Sequence, residues 1–471
     1  MAAVVCSTGV SAAEAASYGL LSSWEGDTVT TRTFTWRDSE QKNAVVEVVT
    51  ESAYKISGFE NPMTFEAECK DISLDGSGQW LYEASIEGLT PETSYMYRVG
   101  SDEWSEPVRF TTGADADTSV TFAYMGDAQA SGNTADDYAL WQKLTEKLTE
   151  VYPELAFAVM GGDNVNSGIS TDEFDLFRKS ASSVFSSVPF FSTVGNHESN
   201  FLSGKPELYL DEFAFPQNGP EGFKEEFYSF DYGNCHILVV NSWIFSGEQN
   251  LSDEDIAKVN NWIEADLASS TADWQVVVTH VPVYAVHSDT TSTKVQENWA
   301  GIFEKYGVDL VFEGHQHVYS RTYPLYQGQI DYENGITYIM GVSGSKSYDS
   351  SDETFAERVV YDIPNAQIVH TDGDSMTVQS IDANGNELDY VSIPKRSVDM
   401  TRSEYINALW RAAGSPSPSS ASPFSDTSDS AVVWAYEKGY CLGYGRGRFG
   451  PDDKITEAQI KIISERMNGG K

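Results

Sequence analysis

Two histidines, His315 and His317, stand one residue apart behind Gly314 and an apolar run over residues 308–312. Residues i and i+2 of an extended chain share a face, so a bent Gly-His-x-His turn aims two imidazoles at one point. The chain has seven histidines, and two of them sit here. Four earlier segments have the same build: an apolar run, a glycine or polar turn, then a carboxylate, amide or imidazole. Residues 120–125 precede Gly126 and Asp127, and residues 155–160 precede Gly161, Gly162, Asp163 and Asn164. Residues 190–194 precede Gly195, Asn196, His197 and Glu198, and residues 274–279 precede His280. Each sets a hard or borderline metal ligand just past the carboxyl end of a buried strand, where open sheets gather ligands. A lone histidine is ordinarily a packed or surface residue. Five such segments in order point to a metal site.

The elements that must position these residues follow from the patterning. Residues 118–395 alternate apolar strands with helical periodicity over residues 136–151 and 252–267, which predicts a layered α/β core, a β-sandwich flanked by helices. Residues 335–340 and 375–379 are further strands, and Asp382, Asn384 and Gly385 predict a hairpin turn. Ahead of this core, residues 29–36, 44–49, 95–99 and 108–111 are short alternating strands punctuated by turn residues, the pattern of an antiparallel sandwich. After Lys395 the composition changes: Thr401 and Glu404 cap a helix over residues 401–411, and a Pro/Ser linker follows over residues 414–423. The chain is thus multidomain, with an all-β sandwich at 25–114, the α/β layered domain at 115–395 and a small helical region at 396–471. Residues 1–24, small and apolar before turning acidic, are expected to be either a leader or the tail of a truncated secretory signal. Val10, Ser11 and Ala12, or Ala13, Glu14 and Ala15, would mark its cleavage.

A length of 471 residues is too long for one core. The formal net charge of −41 argues against any electrostatic grip on nucleic acid, which needs Lys and Arg. No 18-residue apolar run is present to span a membrane. Cys6, Cys69, Cys235 and Cys441 lack the spacing of a thiolate site or disulfide framework.

Gly-Asp, Gly-Asp-Asn, Gly-Asn-His-Glu, Val-x-x-His and Gly-His-x-His, in that order, resemble the calcineurin-like metallophosphoesterases. Among these, purple acid phosphatases are the most similar, over residues 25–395. The sandwich, with Gly88, Leu89, Thr90 and Pro91 before Tyr95, resembles the fibronectin type III-like fold that purple acid phosphatases carry at this end. The resemblance implies two metal ions about 3.5 Å apart and a metal-bound hydroxide attacking phosphorus in line. Carried over residue by residue, Asp163 would bridge the ions, Asp127 and His317 would hold the first, and Asn196, His280 and His315 the second. His197 would contact the phosphate or protonate the leaving oxygen, and His287 would be a further substrate-facing histidine. His236 and His370, in strand-like runs, receive no role.

The chain departs from the resembled pattern twice. Purple acid phosphatases have Gly-Asp-x-x-Tyr, whose tyrosinate binds ferric iron, and here that position is Asn166. Many relatives have Asp-x-His at the first motif, and here that position is Gln129. Gln129 or Asn166 would offer a neutral oxygen instead, which favours divalent Mn, Zn, Fe or Mg over ferric iron. A tyrosine from elsewhere, Tyr319 or Tyr284, would be needed to restore a phenolate. The expected function is a secreted phosphatase of small-molecule phosphomonoesters. The alternatives are a phosphodiesterase or nucleotidase with the same centre, or a wall-associated binding protein with a weakened one. Phe424, Ser425 and Asp426, residues 431–439 and 443–449, Pro451 and residues 456–459 resemble an S-layer homology repeat. That resemblance implies a cell-wall polymer as partner and a secreted or bacterial wall-associated location.

Overall fold

A computed structural model describes residues 17–73, 78–114, 118–130, 132, 134–349, 354–395, 400–455 and 457–467. The expected cleavage sites, Cys6 and Thr456 lie outside these.

The N-terminal domain is two four-stranded antiparallel sheets face to face. One runs in the order Ser17–Ser23, Arg32–Asp38, Trp80–Ile86, Glu68–Asp71, and the other Met63–Glu66, Val45–Thr50, Ser94–Gly100, Val108–Thr111. Val46, Val48, Tyr97 and Val99 point inward onto Phe34, Trp36 and Tyr82, as period-2 alternation requires. Two expectations change here. The stretch taken as the end of a leader is instead the strand Ser17–Ser23, paired with Arg32–Asp38. Its Leu20 and Leu21 are buried, and Trp24 stacks on Phe191 at 5.4 Å. The next strand starts at Arg32 rather than residue 29, because the Asp27 carboxylate accepts the N–H groups of Val29 and Thr30 and holds them in a turn.

The central domain stacks a six-stranded sheet on a seven-stranded one. Thr121–Met125 lies parallel to Ala158–Met160, which lies parallel to Phe190–Ser192. In the second sheet Cys235–Val240, Trp274–Thr279, Leu310–Glu313 and Thr337–Met340 are successive parallel neighbours. Their apolar runs are continuous because both faces are buried. Val276 and Val278 enter the core between the sheets, while Val277 faces Ile263 and Phe303 on the outer helices. Outer helices include Ala135–Val151, Thr171–Phe185 and Asp253–Ser269. Thr134 with Asp137, and Ser252 with Asp255, form capping boxes at two of their N-termini. The expected hairpin turn joins Ser375–Asp382 to Glu387–Pro394, with Gly385 at φ 83°. Because the motif strands are parallel within each sheet, all five ligand-bearing turns leave from carboxyl ends.

Buried Arg178 ties the first two domains together: it donates to the Gly19 carbonyl at 3.1 Å, Thr35 Oγ1 at 2.9 Å and the Glu212 carbonyl at 2.8 Å. The C-terminal region has its own core of Ile406, Leu409, Trp434 and Phe449, built on helices Arg402–Ala412, Ser430–Glu437 and Glu457–Met467. Thr401 and Glu404 form the capping box expected of the first helix.

Candidate metal centre

The turns after the five motif strands meet around one cleft of about 540 Å³, lined among others by Asp163, Asn196, His197, His287, His315 and His317. The two loops that present Asp163 and Asn196 are tied by one buried carboxylate. Glu198 accepts the N–H of Asp163 at 2.8 Å, of Asn164 at 2.7 Å and of Gly195 at 2.8 Å. Asp163 takes a left-handed φ of 52°, a conformation that persists only where the surroundings over-determine it, and those bonds do so. Gly195 is required by proximity: a Cβ there would lie 2.2 Å from Asp163 Oδ1. His315 and His317 are also left-handed, at φ 73° and 47°, which is the bend expected of the Gly-His-x-His turn.

On one side of the cleft, acceptors converge. His280 is fully buried, and its Nδ1–H donates to the Gly161 carbonyl at 2.7 Å, leaving Nε2 to face Asn196 Oδ1 at 3.0 Å and Asp163 Oδ2 at 3.4 Å. His315 Nε2–H donates to Asp289 Oδ2 at 3.1 Å, which turns its Nδ1 to the same Asn196 oxygen at 2.9 Å. Two imidazole nitrogens, an amide oxygen and a carboxylate thus face one another, and positive charge, a proton on His280 Nε2 or a metal ion in its place, is what satisfies them. Ligand atoms of Asp163, His280 and His315 lie within 4.8 Å of one another. The field there favours positive charge. Burial opposes protonation of His280, yet the Asp163 and Asp127 carboxylates push it up to about 10. Asp163 is held well below the usual carboxylate range; burial works against this, and the charge and hydrogen bond of His280 override it.

The other side is mixed. Burial, with repulsion from Asp163, pushes Asp127 up to about 7, and burial brings His317 down to about 3. Asp127 Oδ2 and His317 Nδ1 lie 3.6 Å apart, and both are buried without a hydrogen-bond partner among the described residues. Gln129 and Asn166, expected to offer neutral oxygens to an ion, direct both amide oxygens elsewhere: Lys346 Nζ donates to Gln129 Oε1 at 3.0 Å and to Asn166 Oδ1 at 3.1 Å. Gln129 Nε2–H donates instead to Asp163 Oδ2 at 2.8 Å. Burial lowers the Lys346 pKa, partly offset by Asp163 and Asp127.

His197 donates from Nδ1 to the Asn166 carbonyl at 2.7 Å, which frees its Nε2. The His287 N–H donates to Gln316 Oε1 at 3.1 Å, and its Nε2 is buried with no hydrogen-bond partner among the described residues. Tyr319 does not serve the centre, since its hydroxyl donates to Asp389 Oδ2 at 2.8 Å. Tyr284 packs on Tyr338, ring centroids 4.8 Å apart. Tyr348 is the tyrosine that lines the cleft, its ring 4.7 Å from that of His317. His236 lies in the strand Cys235–Val240, bonded to Asp231 and Asp266. Sequence reasoning missed Asp289, Lys346 and Tyr348: Asp289 caps the short helix Thr290–Val295, and Lys346 and Tyr348 follow the strand Thr337–Met340 and Gly341 but are a cation and a phenol rather than the carboxylate, amide or imidazole of the other turns. Glu198 stood in a quoted motif, but nothing in its spacing disclosed its three backbone bonds.

Residues 120–319 match the family model of calcineurin-like phosphoesterases, and residues 19–112 match that of the purple acid phosphatase N-terminal domain. Acid phosphatase type 7 of Mus musculus is 27% identical over 271 residues, covering 53% of this chain and 59% of its own length. Purple acid phosphatase 15 of Arabidopsis thaliana is 24% identical over 296 residues, covering 56% of this chain and 54% of its own. The chain thus spans just over half the length of the curated relatives it matches. A purple acid phosphatase from yellow lupin (Lupinus luteus) seeds has the same fold. Its TM-score is 0.65 at 16% identity, over 81% of this chain and 75% of that one.

Proposed function

We propose that this chain, whose central domain is of the calcineurin-like phosphoesterase type behind a purple acid phosphatase N-terminal domain, hydrolyses small-molecule phosphate esters, monoesters foremost, with divalent metal ions. The observation that carries the reading is the convergence of Asp163, Asn196 Oδ1, His280 Nε2 and His315 Nδ1 on one point of a cleft that also holds His197 and His287. These four residues would hold one ion. Asp127 and His317, with Asp163 shared, would hold a second. Mn, Zn, Fe or Mg suits such oxygen and imidazole donors. When bound, the ions supply water acidified towards neutrality and positive charge against the phosphate.

The chain's own residues do the rest. Gly161 and Asp289 fix the tautomers of His280 and His315, so that both rings keep a lone pair turned inward. His197, anchored through its Nδ1–H on the Asn166 carbonyl, turns Nε2 towards the leaving oxygen and, as the imidazolium, would give that oxygen the Nε2 proton. The unpartnered Nε2 of His287 is a second group for the phosphoryl oxygens. The C-terminal region, with its separate core and S-layer-like pattern, is read as an appendage for a wall polymer on an enzyme that works outside the cell.

The test is hydrolysis of p-nitrophenyl phosphate beside bis(p-nitrophenyl) phosphate by chelator-stripped protein supplied with divalent ions. Metal-dependent turnover that favours the monoester is expected. Preference for the bis ester would move the assignment to a diesterase, and no hydrolysis of either with any ion would refute it. Co-sedimentation of the full chain with purified cell walls tests the appendage, and a chain that stays in the supernatant contradicts it.

A further inference from the structure

The two sides of the centre differ in the sign of what they present. Lys346, half buried, donates to Gln129 Oε1 at 3.0 Å and to Asn166 Oδ1 at 3.1 Å. With its oxygen held by an ammonium, Gln129 turns its NH2 group inward. There Nε2 donates to Asp163 Oδ2 at 2.8 Å and stands 3.2 Å from His317 Nε2. The opposite orientation would set an NH2 group against the ammonium and an oxygen against the Asp163 carboxylate, so Lys346 fixes this one. A metal ion demands acceptors. Between Asp163 and His317 it meets a donor backed by a positive charge. Yet Asp127 Oδ2 and His317 Nδ1, the ring nitrogen that Gln129 does not meet, remain buried and unpartnered among the described residues, so groups for an ion exist beside the amide, and the third, Asp163 Oδ2, becomes available once the amide swings away.

We infer that Lys346, acting through Gln129, makes the centre unequal: one divalent ion binds tightly at Asp163, Asn196, His280 and His315, and a second enters beside Asp127 and His317 only by displacing the Lys346–Gln129 pair. This rests on the reading of the cleft as a metal-dependent phosphoesterase centre and adds how that centre loads. Lys346 is a positioning residue. It keeps one positive charge on the Asp127 side when only one ion is bound, where a second ion would bring two. At low metal the protein therefore carries one ion and an ammonium, and at high metal two ions with the lysine expelled.

The experiment is calorimetric titration of the chelator-stripped full chain with Mn2+, with ions per chain counted by mass spectrometry after gel filtration. In the wild type, one ion should bind tightly and the second about a hundredfold more weakly, the scale on which groups behind the ligands act. Lys346→Met should narrow the gap to about tenfold or less, and Lys346→Arg, which keeps the charge, should retain it. Two ions of equal affinity in the wild type, or an unchanged gap in Lys346→Met, overturn the inference. If melting curves show that Lys346→Met does not fold, the wild-type isotherm decides alone by the same criterion. Uptake of no ion by any chain would instead bring down the metal reading itself.

Discussion

The two sides of the candidate centre both touch Asp163, His280 at 3.4 Å and Gln129 at 2.8 Å, and sit at the ends of the same two sheets, yet they are finished differently. On the Asn196 side every imidazole nitrogen not aimed inward is satisfied, His280 on the Gly161 carbonyl and His315 on Asp289, so the inward nitrogens face only the Asn196 and Asp163 oxygens, an acceptor cluster that calls for positive charge. On the Asp127 side the protein supplies its own donors, the Gln129 NH2 and the Lys346 ammonium, and satisfies part of the site without an ion. Ligand count alone would rank the halves as near equals. Hydrogen-bond sign separates them: a metal site is defined as much by what its donors are prevented from doing as by which residues line it.

Replacing the shared residue should abolish the comparison altogether. Asp163→Ala removes a ligand from both halves, so bound metal should fall towards zero and hydrolysis with it. Metal analysis that still finds two ions, with near wild-type turnover, would show that Asp163 is not shared. His197→Ala should leave the metal content of both halves intact and lower turnover by about a hundredfold. The loss should be smaller for p-nitrophenyl phosphate than for an alkyl phosphate, because p-nitrophenolate leaves without a proton. Equal losses would assign His197 to phosphate binding, and lost metal to support of Asn196. Asp289→Asn touches one half alone. It loosens the His315 tautomer and should weaken the tighter ion step by about tenfold without moving the weaker one, which the same isotherm reads.

His236 serves as a control distant from both halves. Burial opposes its charge, but Asp266 and then Asp231 raise it from 6.5 to about 10 in the folded chain. A raised folded pKa means stability that is fully present below pH 6.5 and lost as pH climbs through 10. His236→Gln should therefore cost about 2 kcal/mol near pH 6 and little near pH 10, with metal binding unchanged. Denaturant midpoints that fall equally at both pH values would contradict that assignment. The smallest expected signal is none: with Asn166 on Lys346 and Tyr319 on Asp389, the isolated protein should be colourless and indifferent to mild reductants. A visible band removed by dithionite would point to Tyr348, and its absence in Tyr348→Phe would prove the source.

Much of the convergence on the cleft was legible because each candidate ligand follows a buried parallel strand by a few residues, a placement that patterning and a glycine announce together. His280 comes directly after Thr279, and Asp127 two residues after Met125. The fold class followed from the same alternation. What escaped came from segments whose meaning depends on where the chain returns. Lys346 is one cation in an irregular loop, and only the folded path brings it to Gln129 and Asn166. Both amides were recognised as neutral oxygens, but sequence does not reveal which atom an amide turns inward. The strand Ser17–Ser23 was missed because small residues precede it, and its burial depends on pairing with Arg32–Asp38 and on Trp24 reaching the central core.

Anomalous diffraction from crystals of the full chain grown with one equivalent of Mn2+ puts the unequal centre to its most direct test. One strong peak bounded by Asp163, Asn196, His280 and His315, with Lys346 still on Gln129, is the predicted result. A peak of equal or greater height beside Asp127 and His317, or none in the cleft, would contradict it.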